Sequence, residues 1–176
     1  MNRIRCLFLD VDGTLTDGKI HIAAGGELFK SFDVKDGYGI SRLLPQHGIE
    51  PIIVTARNSR IVDKRCLELG IRHCYQGITD KLEWVSSYLT GELKLSWDEA
   101  AYMGDDLADL PCMNRCAVKG CPADAVEDVK RVCDFVSGKN GGHGAVREFI
   151  EWLIGQDVIL GKNSFSCTAE KGGLYG

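Results

Sequence analysis

Two aspartates one residue apart, Asp10 and Asp12, follow the apolar run Ile4 to Leu9 and precede Gly13. Glycine permits a sharp turn there, so both carboxylates can face one ligand. Three further carboxylates, Asp105, Asp106 and Asp109, follow Gly104. Between these acidic groups stand Thr55 in the segment IIVTAR and Lys81 in YQGITDK. A hydroxyl and an ammonium of this kind can bind the oxygens of a phosphoryl group as charge shifts during its transfer. Each element also has a plain structural reading. D-x-D-G is a common turn, Thr55 can cap the following helix, a lone lysine is usually solvated, and acids at a helix start complement its dipole. Three carboxylates in so short a stretch nevertheless exceed what a cap requires. A hard, oxygen-seeking cation accounts for them better, and magnesium is the usual one beside a phosphate.

The elements that must position these groups can be read from periodicity. Ile4 to Leu9, Pro51 to Thr55, His73 to Gln76, Ala100 to Gly104, Cys116 to Lys119 and Cys133 to Val136 read as short strands. Helical stretches alternate with them: Gly39 to His47, Ser59 to Leu69 with a stop at Gly70, Thr79 to Leu89, Leu107 to Asn114, Ala123 to Val129 and Gly144 to Ile154. Lys19 to Phe32, with Ala24-Gly25-Gly26 inside, reads as a hairpin. Alternation of this type predicts an α/β fold, a Rossmann-like parallel sheet with helices on both faces. Such sheets bind ligands at the carboxyl ends of their strands, where Asp10, Thr55, Lys81 and Asp105 all fall. The expected organisation is one domain over residues 1–154, with a small hairpin insertion at about 17–32 and a tail over 155–176.

Bulk properties narrow the class. The 176 residues are 44% apolar and 26% charged with a net charge of −4, which offers no cationic surface for nucleic acid or an anionic membrane. No apolar run is long enough to span a bilayer, and the run at the start ends too soon in Asp10 to be a signal peptide. The expectation is a cytoplasmic protein. The Cys112, Cys116, Cys121 group lacks paired C-x-x-C spacing, so the eight cysteines read as reduced thiols.

DVDGT, the IIVTAR threonine, Lys81 and GDDLAD resemble the four motifs of the haloacid dehalogenase (HAD) superfamily phosphatases, over about residues 4–154. More finely, DVDGTLTDG, FDVKDGYGI, YQGITDK, GDDLADLP and GGHGAVRE resemble the 3-deoxy-D-manno-octulosonate 8-phosphate phosphatases, and also the phosphatase-like domains fused to acylneuraminate cytidylyltransferases. The resemblance implies that Asp10 is the nucleophile, Asp12 the general acid and base, and Thr55 and Lys81 the phosphoryl ligands. It implies magnesium held by Asp10, the Asp12 carbonyl and Asp105, with Asp106 and Asp109 orienting metal waters or Lys81. Substrate contacts are implied at Asp12, Asp33, Val34, Lys35, Asp36, Gly37, Arg57, Arg65 and Lys81.

The intervals between motifs leave no room for a cap domain. The resembled family compensates by forming a homotetramer, in which hairpins build a central barrel and a neighbour lines each site. The implied partner is a small phosphorylated sugar acid, the eight-carbon 8-phosphate. Two departures stand out: Thr14 occupies a position where valine is common, and Ser41 with Arg42 stands where the family often has an arginine after DGYGI. An arginine one place along a helix points about 100° away. Two rival readings remain. One is a phosphatase for a nine-carbon acid 9-phosphate, an acylneuraminate or its deaminated analogue; the other is a non-catalytic tetramerising module, which the retained Asp10, Asp12, Lys81 and Asp105 argue against. A phosphomutase would need a cap to retain its intermediate.

Overall fold

The computed structural model describes residues 3–159. Six strands form one parallel sheet: β1 (Cys6–Leu9), β4 (Glu50–Val54), β5 (His73–Tyr75), β6 (Ala100–Met103), β7 (Val118–Cys121) and β8 (Phe135–Val136). Their spatial order is β5-β4-β1-β6-β7-β8. The chain runs outward from β1 through β4 to β5, then returns to the other side of β1 with β6. The switch in strand order therefore falls between β1 and β6, where an open α/β sheet leaves a crevice beyond its strand ends. In register, Leu9 lies between Ile53 and Met103, so Asp10 and Asp105 leave the sheet side by side.

Alternation along the buried strands assigns two cores. Leu7, Leu9, Ile53 and Met103 face one side, packing on Ile40, Leu44, Val62, Phe149 and Ile150. Cys6, Phe8, Ile52, Val54 and Tyr102 face the other, against Val85, Leu89, Met113 and Val129. The first side is covered by α1 (Val34–Tyr38), a π-helical segment (Gly39–Leu43), α2 (Leu44–Gln46), α3 (Arg60–Leu69) and α7 (Ala145–Ile159). The second is covered by α4 (Lys81–Gly91), α5 (Leu110–Met113) and α6 (Glu127–Lys130). The hairpin is a separate antiparallel pair, β2 (His21–Ala23) and β3 (Gly26–Phe29). Among the described residues no helix is long and apolar enough to cross a membrane. Seven cysteines in this region are free thiols, most of them buried.

Helical structure begins earlier than periodicity suggested, at Val34 rather than Gly39. The Asp33 side chain accepts from the Lys35 amide and starts the helix. Gly37 and Gly39 have low intrinsic helix propensity, which masks the segment in the sequence. Their packing explains them: a Cβ at Gly39 would lie 3.1 Å from Ile150 on α7, and one at Gly37 2.5 Å from the Arg65 guanidinium. At the other end α7 runs to Ile159, past the boundary expected at 154. The rest of the 155–176 tail lies outside the described residues. The helix expected over Leu107 to Asn114 is confined to Leu110–Met113.

Asp36 supplies a cap from a distant part of the chain. Its carboxylate accepts from the Arg147 amide at 2.8 Å and the Gly144 amide at 3.3 Å, at the start of α7. Those amides have no partner within the helix. Asp36→Ala is expected to lower stability by about 1–2 kcal/mol, the usual cost of a lost cap. Denaturant unfolding measures this; an unchanged midpoint would show that water replaces the cap without loss.

Candidate active site

Asp10, Lys81, Asp105 and Asp109 come together beyond the carboxyl ends of the strands. Asp10 is 7% exposed, and its amide donates to the Met103 carbonyl at 3.1 Å, which fixes it against β6. Lys81, the first residue of α4, is 5% exposed. Its ammonium bridges Asp10 Oδ1 at 2.6 Å and Asp109 Oδ1 at 2.7 Å. Asp109 is fully engaged: Tyr102 Oη donates to Oδ1 at 2.9 Å, and the amides of Asp105 and Asp106 donate to Oδ2 at 3.1 and 3.4 Å. It thus holds Lys81 in place and also shapes the loop after β6. The Asp105 carboxylate receives one hydrogen bond, from Thr14 Oγ1 at 3.0 Å. Gly13, at φ 96°, leaves room for it; a Cβ there would stand 2.0 Å from Asp105 Oδ2. Thr55 is buried at the end of β4, with its amide on the Tyr75 carbonyl and its own carbonyl accepting from Ile78.

Ligand oxygens of Asp10, Asp105 and Asp109 all lie within 4.8 Å of one another. Such crowding of negative charge out of water is costly. Burial, with the neighbouring Asp10 and Asp109 carboxylates adding to it, pushes the Asp105 carboxyl up to about 7. Burial and Asp109 push Asp10 up to about 6 against the pull of Lys81. Burial works against the Lys81 ammonium, yet Asp10 and Asp109 outweigh it and hold it above its ordinary value. Burial and Asp109 likewise keep the Tyr102 phenol protonated, as its donor role requires. A hard divalent cation fits this donor set: the ligands are all oxygen, crowded, and short of positive charge.

The Asp12 carboxylate is not one of the three that crowd together. Lys30, beside β3 on the hairpin, contacts Oδ1, and Arg57 Nε lies 3.5 Å from Oδ2. Of the other residues singled out for substrate, the structure builds a group around α1. Asp33 caps α1, and Val34 and Lys35 are exposed, the latter 3.9 Å from Asp33. Asp36 spends its carboxylate on α7, and Gly37 packs on Arg65. The Arg65 guanidinium lies over the Phe32 ring, pairs with Glu68 at 2.9 Å and donates to the Asp33 carbonyl. The structure does not bring Asp106 to the cluster either: it is exposed, and its carboxylate accepts from the Leu107 amide. Ser41 bonds back to the Gly37 carbonyl, and Arg42 is exposed.

Three contributors escaped sequence reasoning. Thr14 stands out in the sequence only as a departure from valine, and nothing there singles out Tyr102 or Lys30. No spacing rule marks any of them. Each is found only through its contact with Asp105, Asp109 or Asp12.

A parallel sheet that gathers Asp10, Lys81, Asp105 and Asp109 beside its switch point is the architecture of the HAD superfamily phosphatases. Comparison with known proteins agrees. The chain is 43% identical over 151 residues to the 3-deoxy-D-manno-octulosonate 8-phosphate phosphatase of Escherichia coli K12, covering 86% of this chain and 79% of that one. It is 39% identical to the Yersinia pestis enzyme over 164 residues, 93% of this chain and 87% of that one. Among solved structures, the cobalt-bound Haemophilus influenzae phosphatase matches with TM-score 0.82 and 36% identity over 87% of this chain and 88% of that one. The Moraxella catarrhalis enzyme, in complex with magnesium, phosphate and its sugar acid, matches with TM-score 0.82 and 38% identity over 89% and 90%. No family model matches the chain. The chain belongs to the 3-deoxy-D-manno-octulosonate 8-phosphate phosphatase family.

Proposed function

We propose that the protein is a magnesium-dependent phosphatase that hydrolyses 3-deoxy-D-manno-octulosonate 8-phosphate to the free sugar acid and phosphate. The observation that carries this reading is the contact of a buried Asp10 with Lys81, beside Asp105 and Asp109. An Asp10 carboxylate oxygen attacks phosphorus and the bond from phosphorus to the sugar oxygen breaks, leaving an aspartyl phosphate. Asp12 gives its proton to the departing oxygen, then takes a proton from the water that attacks the intermediate and frees Asp10. Lys81 and Thr55 bind the equatorial oxygens while charge redistributes. Magnesium would be held by Asp10, Asp105 and the Asp12 carbonyl, and would supply the positive charge that lets carboxylate and phosphate dianion approach.

Assembly as a homotetramer is part of the proposal. Ile22, Leu28 and Phe29 on the hairpin are 72%, 62% and 45% exposed, large apolar side chains on an element whose two strands pair only with each other. A two-stranded hairpin is marginal in water, and a partner that covers such side chains stabilises it. Asp33 to Gly37, Arg57 and Arg65 then contribute to the substrate-binding region, next to a subunit boundary. A cytoplasmic location and the absence of nucleic-acid or membrane partners complete the reading.

A panel of sugar phosphates with magnesium, scored by kcat/KM, tests the activity. The expected result is a strong preference for the eight-carbon 8-phosphate. A preference for a nine-carbon 9-phosphate would move the assignment to that acid, and no hydrolysis of any ester would reject a phosphatase. Light scattering tests the assembly; a fully active monomer would defeat it.

A further inference from the structure

Lys30 follows β3 on the hairpin, yet its side chain is only 1% exposed. Its ammonium contacts Asp12 Oδ1 and lies 3.0 Å from Glu27 Oε1. The other Glu27 oxygen accepts from Ser59 Oγ, the residue that caps α3. Ser59 is tied in turn to Gln76 after β5, with its amide on Gln76 Oε1 at 2.7 Å. Polar contacts therefore run from the capped start of α3, through Glu27 and its ion pair with Lys30, to the carboxylate of Asp12.

Magnitudes separate this contact from the one on the other Asp12 oxygen. The Arg57 side chain is 48% exposed and its nitrogen stands 3.5 Å away, so water and salt screen it. Lys30 is out of water, where an ion pair is screened far less and an unpaired ammonium would be costly. The buried contact is therefore the stronger of the two on Asp12.

We propose that Lys30 is a positioning residue for the leaving-group side of the reaction. Glu27 and Ser59 dock the hairpin so that the Lys30 ammonium donates to Oδ1 of Asp12 and fixes the carboxyl, leaving Oδ2 to carry the proton to the departing sugar oxygen. This rests on the phosphatase reading above. It gives the hairpin a second duty besides packing: the arm that meets other subunits also sets the general acid.

The test compares kcat/KM for the sugar 8-phosphate with that for p-nitrophenyl phosphate, whose phenolate leaves readily without a proton. Asp12→Asn supplies the reference signature, a loss concentrated on the sugar ester. Lys30→Met is expected to lower the sugar-ester value about 10- to 100-fold and to change the aryl-ester value less than about threefold. Glu27→Gln, which keeps the shape of the dock but removes its charge, is expected to shift the ratio in the same direction by less. It decides the matter if Lys30→Met does not fold. A parallel fall on both esters, or no change on either, overturns the proposal, because a role in folding or assembly alone cannot distinguish leaving groups. Wild-type protein inert toward both esters overturns the phosphatase reading and this inference with it; an active wild type with an unaltered ratio in the variants overturns this inference only.

Discussion

Asp10→Asn is expected to lower turnover of the sugar phosphate by at least about 10⁴-fold, the scale seen when the attacking group of a covalent mechanism is removed. The amide lacks the negative oxygen that must bond to phosphorus, and no neighbour can substitute. Asp105 accepts from Thr14, and both Asp109 oxygens are engaged. The fold should survive. The side chain is isosteric, its amide oxygen can still accept from Lys81, and the backbone bond to Met103 is untouched. Circular dichroism and a melting curve would check this, and trapping the phosphoenzyme would check the chemistry. Near-normal turnover in the variant would assign the nucleophile elsewhere.

The second large effect concerns Asp105 and magnesium. With the Asp105 carboxyl raised from about 3.8 to about 7, the metal-free fold binds a proton that the unfolded chain releases. Stability of the metal-free protein is therefore expected to fall as pH rises through that window, by on the order of a few kcal/mol at most. Asp10, raised to about 6, acts in the same direction. Magnesium competes with those protons, so its binding should tighten and its stabilising effect grow from pH 5 to pH 8. At a hundredfold excess over its dissociation constant, a ligand stabilises by about 2.7 kcal/mol. For a chain of this size that is a rise in melting temperature of roughly 5–10 °C. Asp105→Asn should make the metal-free protein more stable at pH 8, remove most of the magnesium-induced rise and abolish turnover. Thermal melts with and without magnesium at both pH values give the answer. A magnesium-induced rise as large in the variant as in the wild type would remove Asp105 from the metal site.

Several of these groups could be placed from the sequence because strand ends are encoded locally. Strands buried on both faces read as continuous apolar runs, so the polar residue that closes each run marks the carboxyl edge of the sheet. Asp10 after Leu9, Thr55 after Val54 and Asp105 after β6 were all found this way. Helix α3 was equally legible, with Ser59 capping one end and Gly70 in the left-handed conformation at the other. The start of α1 was not, because Gly37 and Gly39 are chosen for close approach to Arg65 and to α7 rather than for helix propensity. Strand β7 was displaced for a similar reason. Its Gly120 falls just past the strand expected to end at Lys119, and a Cβ there would lie 2.6 Å from Phe149 of α7.

The sequence by itself determined the α/β alternation, the strand ends and the residue types gathered there. Periodicity, turns and caps act over a few residues, and they leave a local record. Tertiary structure decided the partners. Lys81 meets Asp109 across 28 positions, Asp36 caps a helix 111 positions away, and Thr14 reaches Asp105 across 91. Those pairings depend on β1 lying between β4 and β6, a choice of strand order that no local pattern records. Lys30 shows the difference most clearly. As a residue it is one more charge on a hairpin, and only the docking of that hairpin by Glu27 and Ser59 turns it toward Asp12.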